Sequence, residues 1–144
     1  MPTTKINPEP CLCSALRRAT RMATRLYDDC MKETGLKVTQ FSLLRNISRA
    51  GTINVTDLAK HLDMERTALG RNLDLLEGKG LIRTESGEDD QRIRVVALTE
   101  QGEAVQEAAI PVWRRAQAEM KRRLKKNQFP SLSALFAEMP ATTD

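Results

Sequence analysis

The sequence predicts a mainly α (α+β) fold, a winged helix-turn-helix with further helices at both ends of the chain. Three observations predict it. Apolar residues recur at helical spacing over most of the 144 residues, two helical segments are joined by a turn of about three residues, and two strand-like segments follow directly. We therefore expect a single domain. Residues 36–99 form the winged helix-turn-helix, and residues 1–35 and 100–144 form the flanking helices.

The first predicted helix follows a tail, residues 1–10, that contains three prolines. From residue 12 onward, apolar residues are spaced alternately by four and three positions, a heptad-like pattern on a helix of about twenty residues. Gly35 suits its C-terminal end. We name this apolar stripe the N-terminal seam; it consists of Leu12, Leu16, Ala19, Ala23, Leu26 and Cys30. So narrow a stripe favours packing against another helix, and we expect that helix to come from a second chain.

Three further helices are predicted over residues 40–50, 55–62 and 65–78. Thr39 is the expected N-cap of the first of them, and Gly51 is its expected end. Asn54 and Asp57 resemble a capping box in which Asp replaces Glu, and they mark the start of the second. The second and third helices, of about 8 and 14 residues, match a helix-turn-helix.

The periodicity then changes from helix to strand. Residues 81–85 and 92–98 are the predicted strands, and the polar segment between them predicts a hairpin. In the second strand, an alternating pattern places three apolar residues on one face. These residues are Ile93, Val95 and Ala97. A helix-turn-helix followed directly by a hairpin is a winged helix.

A long helix and a short one complete the chain. Thr99 is expected to cap the long helix over residues 100–126, and the short helix covers residues 131–139. Pro111 lies inside the long helix and removes a backbone hydrogen bond. We therefore expect a kink or a division there.

Composition argues against several classes of protein. No apolar run approaches the roughly 18 to 20 residues that cross a bilayer, and the N-terminus lacks the apolar stretch of a secretory signal. The cysteine count is three, an odd number, which favours a reducing compartment. A single histidine, His61, argues against a catalytic triad or a multi-histidine metal centre. We expect a cytoplasmic protein that is not an enzyme and has no cofactor, no metal ion and no membrane partner.

The charge balance favours an anionic partner. The formal net charge is +4, and 15 of the 23 basic residues are arginines, whose planar fork suits phosphates and base edges. The alternative is that these charges only solvate helical surfaces. Composition by itself leaves both interpretations open.

Three segments resemble the MarR family of bacterial winged-helix transcription regulators. The most specific is DQRIRVVALTEQG, residues 90–102, which is similar to the family's wing signature. The others are LEGKGLI, residues 76–82, and DLAKHL, residues 57–62. Each is weak alone, but their order and spacing together make the resemblance specific. It covers about residues 12 to 126.

The resemblance implies a homodimer in which residues 1–35 and 100–144 supply the dimerisation helices and residues 36–99 bind DNA. Two winged helices would then bind a pseudo-palindromic operator on double-stranded DNA. Most family members repress transcription, and a small molecule or an oxidant relieves the repression. The expected function is therefore that of a homodimeric repressor with such an effector.

The second helix of the helix-turn-helix, residues 65–78, is the recognition helix, and its N-terminal end is expected to enter the major groove. The spacing of Leu69 places it in the core, and its neighbours on the exposed side of the helix are the candidates for DNA contacts. They are Arg66, Thr67, Ala68, Gly70 and Arg71. The two arginines are candidates for bidentate contacts to guanine. Gly70 inside a helix costs about 1 kcal/mol relative to alanine, which a close approach of DNA or of another helix would explain.

The wing supplies a second set of expected contacts. Arg92 matches the family's wing arginine and is expected in the minor groove, where narrow A·T-rich segments attract a guanidinium. Asp90 is placed to brace the loop or to orient Arg92, or it is a plain turn former. Arg94 is a weaker candidate for a phosphate contact.

Cys11 and Cys13 are candidates for redox sensing. Oxidant-sensing family members carry a reactive cysteine in the N-terminal helix, and a first-turn thiol with Arg17 one turn further on favours the thiolate. Cys30 falls on the N-terminal seam and is expected to be an inert core residue. Alternatives are a thiol enzyme or a soft-metal site built on Cys11 and Cys13. A third alternative for the protein's function is non-specific, architectural DNA binding.

Two aromatic residues are candidates for an effector pocket. Tyr27 and Trp113 would line a space between the dimerisation helices and the winged helix, where the family binds small phenolic or lipophilic molecules. Core packing is the alternative for both. His61 is expected to be a solvated surface residue.

Overall fold

The computed structural model describes residues 11–126 and 128–139. The predicted tail over residues 1–10 lies outside the described residues, as do residues 140–144. The helices are α1 (Leu12–Met31), α2 (Val38–Ala50), α3 (Val55–Leu62), α4 (Arg66–Gly78), α5 (Glu100–Arg123) and α6 (Gln128–Glu138). The strands are β1 (Thr52–Asn54), β2 (Ile82–Ser86) and β3 (Arg94–Leu98). This mainly helical fold with a small sheet confirms the predicted winged helix-turn-helix.

The start of α2 differs from the prediction for a tertiary reason. The helix begins two residues early, and its N-cap is Lys37 rather than Thr39. The Val38 N–H donates to the Asp28 carboxylate of α1 at 2.8 Å, and the Lys37 N–H donates to the Gln40 side chain at 3.0 Å. These side chains satisfy the first N–H groups, which a helix otherwise leaves unpaired.

The start of α3 follows the predicted cap. Asn54 accepts the Asp57 N–H at 2.7 Å through its side-chain oxygen. The Asp57 carboxylate then accepts from the Asn54 side-chain amide at 2.6 Å instead of from backbone N–H. The cap is therefore formed by two side chains that hold each other.

The three-stranded antiparallel sheet has the order β1-β3-β2. Strand β1, three residues long and not predicted from the sequence, pairs with β3 through Thr52 and Ala97. Because β3 is central and packs near α2, α3 and α5, its burial does not alternate as predicted. Val96 is fully buried, while Ile93 precedes the strand and is 42% exposed.

Helix α5 continues through Pro111 without division, contrary to one of the two predicted outcomes, and ends at Arg123. Pro111 is exposed, so the carbonyl that it leaves without an intrahelical partner lies on the solvent side. The side of α5 that faces the core carries Gly102, Gln106, Ala109, Val112 and Ala116.

A close backbone contact fixes α5 on the turn between α4 and β2. The Thr99 hydroxyl donates to the Gly80 carbonyl at 2.7 Å and accepts the Gly102 N–H at 3.0 Å. The Thr99 N–H donates to the Leu81 carbonyl at 3.1 Å. A β-carbon on Gly102 would lie 1.9 Å from that carbonyl oxygen. The position therefore admits glycine alone without movement of the backbone.

The core lies between the winged helix and the C-terminal part of α1. Its fully buried side chains are Met31, Leu44, Ile47, Leu58, Leu69, Leu73, Leu76 and Val96. By contrast, the described residues leave the apolar side chains in the first two turns of α1 largely uncovered, since Leu12 is 78% and Leu16 47% exposed. In the part of the chain described here, no helix is both long and apolar enough to span a membrane.

Candidate nucleic-acid interface

The turn between α3 and α4 orients the second helix of the pair. Asp63 ends α3 in the left-handed conformation (φ 50°), and the Met64 N–H donates to the Ala59 carbonyl at 2.9 Å. A non-glycine residue in this conformation is uncommon, but Asp is among the residues that adopt it. After this turn, α4 packs the completely buried Leu69, Leu73 and Leu76 against the core.

The opposite face of α4 is open to solvent. Arg66, Thr67, Ala68 and Arg71 are exposed, and Gly70 is half-exposed. Leu69 is buried, as its spacing predicts. The structure thus brings together the recognition-helix residues that the sequence analysis selected.

Arg66 and Arg71 have neither an ion pair nor a side-chain hydrogen bond with any of the residues described. Their guanidinium groups are therefore available to a partner outside the chain. Arg66 and Arg71 lie five residues apart, about 1.4 helical turns, and each carries a planar fork of the kind that binds phosphates and base edges.

Gly70 has no packing reason to be glycine. A β-carbon there would meet no atom within 4 Å, so the approach of another helix of this chain does not explain it. The open space beside Gly70 leaves room for either of the two expected neighbours, DNA or a helix of another chain.

The wing is a tight loop between β2 and β3. The Gly87 N–H donates to the Ile93 carbonyl at 2.7 Å, and the Ile93 N–H donates to the Asp90 carbonyl at 3.1 Å. A β-carbon at Gly87 would lie 2.9 Å from the Asp90 carbonyl oxygen. The loop is therefore closed by its own backbone.

Asp90 holds Arg92 within this loop. Its carboxylate accepts the Arg92 backbone N–H at 3.0 Å and the guanidinium nitrogens at 3.1 and 3.2 Å. The Arg92 hydrogen bonds lower the pKa of Asp90. The Arg92 side chain is 90% exposed, so the carboxylate orients a group that otherwise faces solvent.

Arg94 has a different environment from the one that the sequence analysis expects. Its guanidinium lies 3.0 Å from the Asp74 carboxylate and 3.5 Å from that of Glu77, both on α4. Glu77 also accepts the Thr84 hydroxyl at 2.7 Å. Sequence reasoning did not select these three partners; acids spaced three apart on α4 and an arginine at the strand start were the available signal.

The cysteines occupy distinct environments. Cys11 is the exposed N-cap of α1, Cys13 is exposed in its first turn, and Cys30 is half-buried. Hydrogen bonds from the Ser14 backbone and hydroxyl lower the pKa of the Cys11 thiol. Ser14 is therefore the main group that favours the thiolate at Cys11.

An open groove of about 750 Å³ is lined by residues of α1 and of the C-terminal half of α5. Its lining residues are Met22, Arg25, Leu26, Asp29, Cys30, Arg115, Ala118, Glu119, Arg122 and Arg123. Cys30 therefore lies on the wall of a groove, not within the core of this chain.

The structure places both pocket candidates outside the lining of this groove. Trp113 stacks on Phe41 with ring centroids 5.8 Å apart, and the Tyr27 hydroxyl donates to Gln117. Desolvation is the main cause that raises the pKa of Tyr27, with Cys30 a smaller one. His61 is exposed, and no group of three or more His, Cys, Asp or Glu suited to a metal occurs among the residues that the structure describes.

Comparison with known proteins places this geometry in a family. The sequence profile of the MarR family matches residues 36–93, from two residues before α2 to the end of the wing loop. The M. tuberculosis transcriptional regulator MOSR, solved in complex with DNA, is 33% identical in sequence. That match covers 90% of this chain and all of MOSR, with a TM-score of 0.76. The chain belongs to the MarR family.

Two further MarR-family comparisons agree. A variant of MarR from E. coli, complexed with operator DNA, is 25% identical, with a TM-score of 0.79 over 90% of this chain and 94% of that one. The uncharacterized HTH-type transcriptional regulator YdgJ of Bacillus subtilis is 35% identical over 69 residues. That alignment covers 48% of this chain and 42% of YdgJ. MarR proteins are transcription regulators and not enzymes.

Proposed function

We propose that this MarR-family chain is a sequence-specific, DNA-binding transcription regulator in the cytoplasm. The observation that carries the proposal is the exposed face of α4, where Arg66 and Arg71 have no partner among the described residues. Arg92 on the wing supplies a third cation, which Asp90 orients. A recognition helix in the major groove and a wing arginine in the minor groove of one duplex account for both.

A competition assay tests this proposal. Labelled promoter DNA from beside the gene is footprinted, and the protected duplex then competes with random DNA at fixed salt. We expect the protected site to bind at least about a thousandfold more tightly than random DNA, the lower end for specific regulators. Equal affinities would instead indicate an architectural binder, and the proposal would fail.

The proposed regulator is a homodimer that represses transcription from a pseudo-palindromic operator. The support is the exposed apolar surface at both ends of the chain, since Leu12 and Met22 on α1 and Met139 after α6 are 78%, 60% and 55% exposed. Apolar surface of this kind marks an interface. Two winged helices held about 34 to 36 Å apart would meet successive major grooves on one side of the DNA.

Sedimentation at micromolar concentration is expected to show a dimer with no folded monomer. Leu16→Glu, which places a charge on the N-terminal seam, should dissociate and partly unfold it because a buried unpaired charge is costly. Leu75→Glu is the matched control, since Leu75 is 61% exposed on α4 and lies away from the seam. A compact, stable wild-type monomer would contradict the homodimer.

Oxidation or a small-molecule effector is the proposed signal that releases DNA. The exposed Cys11 thiol, with its lowered pKa, supports oxidation. In that step the thiolate sulfur attacks one peroxide oxygen, the O–O bond breaks, a sulfenic acid forms, and hydroxide or alkoxide leaves. The added polar group at the base of the dimerisation helices would change the spacing of the two winged helices.

Hydroperoxide is therefore expected to weaken operator binding by wild-type protein, and reductant to restore it. Cys11→Ser or Cys13→Ser should block the response, whereas Cys30→Ser should not. A gel-shift titration of each variant measures this. If the double variant at Cys11 and Cys13 releases DNA as readily as wild type, the thiols have no role and a small ligand is the effector.

A further inference from the structure

A polar network connects α4 to both strands of the wing; we name it the helix-wing network, and it consists of Arg94, Asp74, Glu77 and Thr84. One guanidinium nitrogen of Arg94 lies 3.0 Å from the Asp74 carboxylate and 3.5 Å from that of Glu77. The other oxygen of Glu77 accepts the Thr84 hydroxyl at 2.7 Å. Glu77 therefore links β2 to the same guanidinium that holds β3.

The network lies where the wing hairpin ends. Arg94 pairs with Ser86 at the outermost position of the β2–β3 ladder, and the loop that carries Arg92 begins immediately beyond it. Backbone hydrogen bonds already fix the turn that leads into β2 to the end of α4, from Gly80 N–H to Glu77 and from Leu81 N–H to Leu76, at 2.9 and 3.0 Å. Arg94 provides the corresponding attachment for β3.

This environment does not suit a phosphate contact. The Arg94 side chain is 35% exposed, whereas that of Arg92 is 90% exposed. A guanidinium that already faces two carboxylates would have to leave both to bind DNA, and the carboxylates would then repel the phosphate. One nitrogen of the Arg94 guanidinium already faces both carboxylates and donates a hydrogen bond to Asp74.

We propose that Arg94 is a positioning residue: it fixes the wing against α4 so that Arg92 reaches the minor groove while α4 occupies the major groove. The proposal rests on the proposed DNA-binding function. Arg94 acts through Arg92, which is two residues away and has only Asp90 to orient it within the described part of the chain.

A double-mutant cycle on the footprinted operator tests this. Arg94→Ala is expected to weaken binding about fivefold or more, in the range of coupled neighbouring residues. In an Arg92→Ala background the same substitution should weaken binding less than about twofold. Equal losses in both backgrounds would overturn the proposal, because Arg94 would then contribute independently of Arg92.

The two acids distinguish positioning from a phosphate contact. Asp74→Asn and Glu77→Gln each remove one negative charge and one of the two carboxylates that face Arg94. Asp89→Asn is the matched control, because it removes one negative charge from an exposed wing residue outside the helix-wing network. If Arg94 positions the wing, both variants bind operator more weakly than Asp89→Asn. If Arg94 contacts phosphate, they bind more tightly, and the proposal fails.

Folding and rescue complete the test. The unfolding midpoint of Arg94→Ala should remain near that of wild type, because exposed ion pairs contribute little to stability. Arg94→Lys should bind the operator more tightly than Arg94→Ala, because the lysine ammonium can still pair with one of the two carboxylates. Wild-type protein that shows no preference for the operator would refute the proposed function, whereas a specific wild type with additive variants would refute only the role of Arg94.

Discussion

Arg71→Ala is expected to abolish specific operator binding while leaving the fold intact. A bidentate arginine–guanine contact contributes about 1 to 3 kcal/mol of discrimination, and a symmetric dimer makes it twice. The loss should therefore be about 2 to 6 kcal/mol on the full operator. The side chain is exposed and has no partner among the described residues, so the free energy of unfolding should not change measurably.

A matched control separates this loss from a change in net charge. Arg114→Ala removes the same charge from an exposed position on α5, outside the winged helix, and should retain operator specificity. Arg92→Ala should differ from both, because it should weaken binding chiefly to sites with A·T-rich flanks. Titrations of operator variants at fixed salt measure all three. Wild-type binding by both Arg71→Ala and Arg92→Ala would show that the helix and the wing are not the interface.

Gly102→Ala is expected to lower the free energy of unfolding by about 3 kcal/mol or more, at the upper end of overpacking effects. The new β-carbon would lie 1.9 Å from the Leu81 carbonyl oxygen, a backbone atom that accepts the Thr99 N–H. Relief requires α5 to move away from the turn that precedes β2. Because α5 would connect the winged helix to the dimer interface, this shift should also weaken operator binding.

Gly70→Ala is the control for the same added methyl group. It lies within α4, where a β-carbon meets no atom within 4 Å, so alanine should stabilise the protein by about 0.5 to 1 kcal/mol. Denaturant unfolding at one fixed protein concentration compares the two variants, since the stability of a dimer depends on concentration. If the free energy of unfolding of Gly102→Ala lies within about 0.5 kcal/mol of the wild-type value, a difference close to the error of such comparisons, alanine fits beside the Leu81 carbonyl and the prediction fails.

The sequence determined the features that depend on local chemistry. The spacing of apolar residues on α1, α3 and α4 follows the helical period, and the capping by Asn54 and Thr99 is local. The change to strand periodicity near Leu81 was sufficient to predict the hairpin. The exposed face with Arg66 and Arg71 follows directly from the burial of Leu69. Each of these sequence patterns lies within a few residues of the helix, cap or strand that it predicts.

Only the tertiary structure decided the features that depend on residues far apart in the chain. Strand β1 forms because β3, more than forty positions further on, offers a free edge. Val96 is buried and Ile93 exposed because α2, α3 and α5 cover the central strand. Arg94 faces Asp74 and Glu77 rather than solvent because the hairpin folds back on α4. Periodicity describes one segment at a time, whereas an ion pair or a strand partner depends on how two segments meet.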